Sequence, residues 1–77
     1  MRFFRWVIKK YENDDSMKGV LARSFKADKD KFPSYRAIST QRRFMLEYCN
    51  PSDECIKAFD ECAEEYAREV HRNEVSR

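Results

Sequence analysis

The sequence predicts an all-α domain, and three observations carry that prediction. One Gly and two Pro in 77 residues are too few breakers for a loop-rich or all-β chain. Abundant Glu, Lys, Arg and Ala favour helix. Apolar residues recur at spacings of three and four, and no stretch alternates with period two long enough to make a strand. A chain of this length forms a single domain, residues 1–77, that buries only about 60% of its unfolded surface. With 42% hydrophobic residues, among them six Phe, four Tyr and one Trp, a modest core is feasible. The expected architecture is a compact bundle of four to five helices with the long C-terminal helix as its spine.

Helix 1 is predicted over Phe3 to Glu12. Phe4, Val7, Ile8 and Tyr11 share one face, with Phe3 and Trp6 at its margins and Arg2, Arg5, Lys9 and Lys10 on the wet side. Asn13-Asp14-Asp15 makes a turn. Helix 2 follows from Ser16 to Lys29, with Met17, Val20, Leu21, Ser24 and Phe25 inward. Gly19 in its first turn lowers helix propensity and leaves room for another backbone. The stretch 28–34 breaks the chain. Pro33 pushes Phe32 out of helical geometry, so Phe32 is expected to drop into the core as a loop anchor, with an added turn around residues 34–37.

Helix 3 is predicted from Ile38 to Cys49, its broad inner face made by Ile38, Phe44, Met45, Tyr48 and Cys49. The spine runs from Pro51 to about Arg72. Ile56, Phe59, Ala63, Tyr66 and Val70 form its stripe, flanked by Cys55 and Cys62. Asn50 is the expected N-cap and Pro51 the first helical residue, with Asp53 and Glu54 toward the positive end of the dipole. Arg68, His71 and Arg72 suit the carbonyl end. Asp60, Glu61, Glu64, Glu65 and Glu69 are expected on the opposite, solvated side.

Net charge is only +2, yet it is divided unevenly. Residues 1–43 hold twelve Lys or Arg against five acids; residues 44–77 hold four against nine. The opening MRFFRWVIKK is cut by Arg5 and reads as a helix rather than a signal segment. No apolar run approaches the roughly 20 residues of a membrane span. Three cysteines without a secretion signal fit reduced, buried thiols, and so a cytoplasmic location.

Asp15-Ser16, Gly19, Leu21-Ala22, Asp28 and Phe32-Pro33, then Leu46-Glu47, Phe59-Asp60-Glu61, Tyr66 and Glu69-Val70, together resemble the YozE-like family of small bacterial and phage proteins. The resemblance covers nearly the whole chain in order. It implies a fold similar to sterile alpha motif domains and a non-enzymatic role. Two positions depart from the family pattern. Arg42 stands where an aliphatic residue is usual. Ala63 stands where a large aromatic, commonly Trp, is expected, and Trp6 is the residue available to fill that space.

No constellation of nucleophile, base and pocket supports an enzyme with a small-molecule substrate. Cys49, Cys55, Cys62 and His71 lack the close pairs that wrap zinc, so no metal and no cofactor is expected. Two partner classes remain. Arg2, Arg5, Lys9 and Lys10 on helix 1, Lys29, Lys31 and Arg36 around the Phe-Pro turn, and Arg43 beside Arg42 could converge as a nucleic-acid-binding footprint, most plainly for DNA, with Tyr35 and Trp6 as stacking surfaces. The plain alternative is scattered solubilising charge. A protein-interaction module would instead use Asp60, Glu61, Glu64 and Glu65 against a basic face, through self-association or as a phage-type inhibitor of a host protein. A pI near 8.5, below the value above 9 expected of a dedicated nucleic-acid domain, favours that second class.

Overall fold

A computed structural model describes residues 2–75, with side chains as far as residue 70. Four α-helices occupy the predicted order: α1 (Phe3–Tyr11), α2 (Met17–Ala27), α3 (Ile38–Phe44) and α4 (Asp53–Val75). No strand occurs among the described residues, and none of their helices is long and apolar enough to cross a membrane. α4 alone is about 35 Å long at 1.5 Å per residue, which accounts for most of the 40 Å long axis. α1 and α2 pack on it, with contacts from α1 reaching as far as Glu69. The side chains of His71 and Arg72 lie outside the described residues.

The core is an aromatic layer between α1, α2 and α4. The rings of Phe4 and Phe25 stack at 4.8 Å. Phe32 descends from the loop after α2 onto both, at 5.3 and 4.9 Å, as its anchoring role requires. Phe3 meets Phe59 edge-on at 5.4 Å, which brings α4 into the same layer. Leu21, Ala22, Val7, Met45 and Cys62 fill the remainder. Phe3 and Trp6, placed at the margins by spacing alone, are buried, whereas Val20 and Ser24 of the expected α2 face are exposed. The reason is that α2 packs against both α1 and α4, while the side carrying Val20 and Ser24 borders an open hollow toward Cys49, Pro51 and Ser52. Trp6 packs on Tyr66 at 5.5 Å, while Ala63 is half-buried at the edge of the core.

The α1–α2 turn is tightly built. The Asp14 carboxylate accepts the Ser16 N–H at 2.7 Å, and the contacts with Ser16 hold its pKa below the usual carboxylate value. The Arg23 guanidinium donates to the carbonyls of Glu12 and Asp14, both at 3.0 Å, which satisfies groups left open at the end of α1. Gly19 is where this turn presses on α2. A Cβ there would stand 1.8 Å from the Asp14 carbonyl oxygen.

Two expectations for the second half are corrected. The predicted third helix does not stay α-helical to Cys49, because residues Met45–Cys49 form a π-helical turn. A π turn bonds i to i+5 and so rotates the succeeding residues out of register. Tyr48 is consequently 72% exposed and Cys49 is exposed, although the α-helical wheel put both inward. The start of α4 also shifts. Asn50 is not its cap but takes a left-handed conformation, φ 45°, that closes the π turn. Ser52 is the cap, its Oγ accepting the Cys55 N–H at 3.2 Å. Val70 at the far end of the stripe is also more exposed than the spacing suggests.

Stability measurements test this packing. Phe59 is fully enclosed, and Phe59→Ala should cost about 3–5 kcal/mol and lower Tm by roughly 12 °C or more. Gly19→Ala should also lower Tm, although Ala favours helix by about 1 kcal/mol over Gly; an unchanged or higher Tm would refute the close approach of Asp14.

The thiols should react in order of exposure. Burial pushes the Cys62 thiol up to about 11, while Cys49 and Cys55 are raised less. Mass spectrometry after brief alkylation should therefore find the first adduct on Cys49 and none on Cys62 until the protein unfolds.

Candidate nucleic-acid interface

Helix geometry sorts the basic residues of α1. Arg2, Arg5 and Lys9 are spaced three and four apart and form one stripe. Lys10 lies about 100° round the helix from Lys9, and it continues the Trp6 side toward α4. There its ammonium stands 4.9 Å over the Trp6 ring and 3.4 Å from the Glu69 carboxylate. Lys10 thus leaves the predicted basic set. Trp6, buried and donating its Nε1–H to Glu69, is no stacking surface either.

The Arg2–Arg5–Lys9 stripe borders a chain of connected hollows. The largest, about 830 Å³, lies between α1 and the loop after α2 and is lined by Arg2, Arg5, Lys26, Lys29 and Tyr35, with Asp30 as its one carboxylate. Arg5 and Ile8 join it to a second hollow bordered by Lys9 and Glu12. Arg2, Ser34 and Tyr35 join it on the other side to a third that Arg36 and Gln41 line. Arg2, Arg5, Lys9, Lys29 and Arg36 are therefore brought to one continuous concave track. Lys26 was not foreseen. Its ion pair with Glu12, at 3.6 Å, is largely solvent-exposed and correspondingly weak. Lys31 and Arg43 are exposed and line none of the three hollows.

Tyr35 stands at the junction of two hollows with 67% of its surface exposed. The Arg36 guanidinium lies 5.4 Å from its ring centroid. The backbone beneath is fastened at three consecutive carbonyls. Gln41 Nε2 donates to the carbonyls of Arg36 at 2.8 Å and Ser34 at 3.4 Å, and Arg2 donates to that of Tyr35 at 3.3 Å. Gln41 is almost wholly buried, and its Oε1 has no hydrogen-bond partner among the described residues. A signal for it existed in the sequence: Ile38, Gln41 and Met45 continue one stripe at spacings of three and four.

The acidic helix is differently employed than its spacing implied. Glu65 and Glu69 are not on a detached solvated face but reach across to α1 and α2. Glu65 accepts from the Tyr11 hydroxyl and from Lys18 at 2.7 Å; Glu69 accepts from Trp6 and Lys10. Asp60 holds Arg42 through two bonds, at 2.8 and 3.2 Å, so Arg42 finds its partner on α4. Glu64 pairs with Arg68 at 3.5 Å within the helix. Of the predicted protein-interaction set Asp60, Glu61, Glu64 and Glu65, Glu61 alone has no ion pair among the described residues.

Burial raises the Tyr11 pKa to about 12, with Glu65 adding to the shift. Burial also pushes Glu65 up, but the bonds from Lys18 and Tyr11 outweigh it and hold the carboxyl below its ordinary value. No group of three or more His, Cys, Asp or Glu among the described residues could hold a metal ion. No family model, curated protein or solved structure matches this chain.

The Glu65 contacts have a pH signature. A depressed carboxyl contributes stability above its unfolded pKa and loses it as pH falls through the folded one. Tyr11, raised, contributes fully below about pH 10 and loses it as pH climbs toward 12. Glu65→Gln should therefore flatten the decline of Tm between about pH 6 and pH 3. Tyr11→Phe should flatten the alkaline limb above pH 10; a parent-like pH profile in both variants would contradict the arrangement.

Proposed function

We propose that this protein is a small, non-enzymatic nucleic-acid-binding module whose contact surface is the basic track along α1 and the loop after α2. One observation carries the reading. Arg2, Arg5, Lys9, Lys29 and Arg36 border a single concave surface and make no ion pair among the described residues, while four of the five acids on the α4 face are engaged within the chain. A modest net charge therefore masks a locally uncompensated basic region, and phosphate is the anion that such a region attracts. The all-α bundle is in keeping with membership of the YozE-like family, which we include in the proposal together with a cytoplasmic location.

Titration of labelled DNA at low and physiological salt tests the proposal. Three or four phosphate contacts give a slope of log affinity against log salt of about −2 to −4. Arg5→Glu with Lys29→Glu should abolish binding with little change in Tm. Asp30→Asn, which removes the one carboxylate from the largest hollow, should strengthen it. Glu61→Lys, which lines none of the three hollows of the track, is the control and should leave affinity intact or slightly improved. Glu65 is unsuitable for that purpose, because reversing it would break the contacts of Tyr11 and Lys18. Absence of binding at low salt would reject the reading. Capture of a protein partner that Glu61→Lys weakens would favour the interaction-module alternative.

A further inference from the structure

We infer that the ligand is a single-stranded nucleic acid, one base of which stacks on the exposed ring of Tyr35 while its backbone runs along Arg2, Arg5 and Lys29; the inference rests on the nucleic-acid reading above. An exposed aromatic on a loop is common, and alone it would carry nothing. Here the turn beneath the ring is clamped. The carbonyls of residues 34, 35 and 36 are all held by side chains from elsewhere, two by the buried Gln41 amide and one by Arg2. Gln41 lies nearly fully buried to do this, with its own Oε1 left unpartnered, so considerable structure is committed to fixing a residue that itself makes little contact with the core.

The placement gives the ring a task. Tyr35 sits where two hollows meet, beside Arg2, which borders both. A strand whose phosphates lie along Arg2, Arg5 and Lys29 would carry its bases past the ring, and the Arg36 guanidinium is positioned to add a cation–π contact. Only an unpaired base has a free π face. In a duplex both faces are already covered by neighbouring pairs, so the ring would be idle there. Stacking tolerates any base, so the expected recognition is of strandedness rather than sequence. The size of the basic set agrees: a few cations and one aromatic suit a short stretch of flexible strand.

Fluorescence polarisation with a labelled oligothymidine strand, and with a duplex of equal length, separates the possibilities. The single strand should bind more tightly than the duplex. Tyr35→Ala should weaken strand binding by about 5- to 100-fold and leave duplex binding unchanged. Tyr35→Phe should retain parent affinity, since the ring and not the hydroxyl is used. Tyr35→Trp should bind at least as well, with an added emission component quenched by the strand. Circular dichroism melts of each variant should match the parent because the side chain is exposed. Equal affinity for strand and duplex, or strand binding indifferent to Tyr35→Ala, would overturn this inference while leaving the basic track as a nucleic-acid surface. Failure of both probes to bind at low salt would remove the surface itself.

Discussion

The arrangement depends on two carboxylates of α4 being turned inward to the neighbouring helices. Glu65 takes the Tyr11 hydroxyl and Lys18, and Glu69 takes the Trp6 indole and Lys10. Trp6 and Lys10 lie one turn apart, so these bonds fix the rotation of α1 about its own axis as well as its distance from α4. Once that rotation is set, Phe3 and Val7 must enter the core, and Arg5 and Lys9 must emerge on another side of α1, with Arg2 at the N-terminal end of their stripe. The basic track is thus a consequence of how α1 is docked. Packing supplies most of the cohesion, but apolar side chains alone would tolerate a small roll of α1; directional bonds to two fixed carboxylates tolerate far less.

The same bonds explain how a chain with a strongly acidic last helix can present a basic face. Were Asp60, Glu61, Glu64, Glu65 and Glu69 of α4 all solvated, their field would offset much of the positive charge on α1. Here Lys18, Lys10 and Arg42 are paired with Glu65, Glu69 and Asp60 on the α4 side. Each such pair is partly or largely exposed, and its direct contribution to stability is small. Its contribution to the charge pattern is larger, since it neutralises locally and leaves the opposite side of α1 to dominate there.

Most of the fold was legible in the sequence. Spacings of three and four located all four helices to within two or three residues, except at the C-terminal end of the third, Pro33 located the break, and Gly19 marked a close backbone approach. Spacing could not give register beyond a defect. A one-residue slip into a π turn at Met45–Cys49 has no strong local signature, yet it moved Tyr48 and Cys49 from core to surface and displaced the cap of α4 from Asn50 to Ser52. The site was legible in part. The Arg2–Arg5–Lys9 stripe and the nearness of Lys29 and Tyr35 arise from pattern and from the Phe32 anchor. The loss of Lys10 to Glu69 and the entry of Lys26 depend on how α1 and α2 roll against their neighbours, which is a tertiary property.

Gln41 shows how a polar residue inside a helical stripe can carry structural information that composition hides. Among Ser39, Thr40, Gln41, Arg42 and Arg43 it looks like one more solvated residue, but with Arg42 it lies on the line from Ile38 to Met45, and of the two it is the one that is buried. Burying an amide costs free energy unless its groups are bonded. Here only the NH₂ half is satisfied among the described residues, by carbonyls that flank Tyr35. An aliphatic residue would fill the same position without that cost, though it would release the 34–36 turn. The choice of Gln therefore makes sense only if the position of that turn matters more than the small stability given up to hold it, and the residue that the turn holds out to solvent is Tyr35.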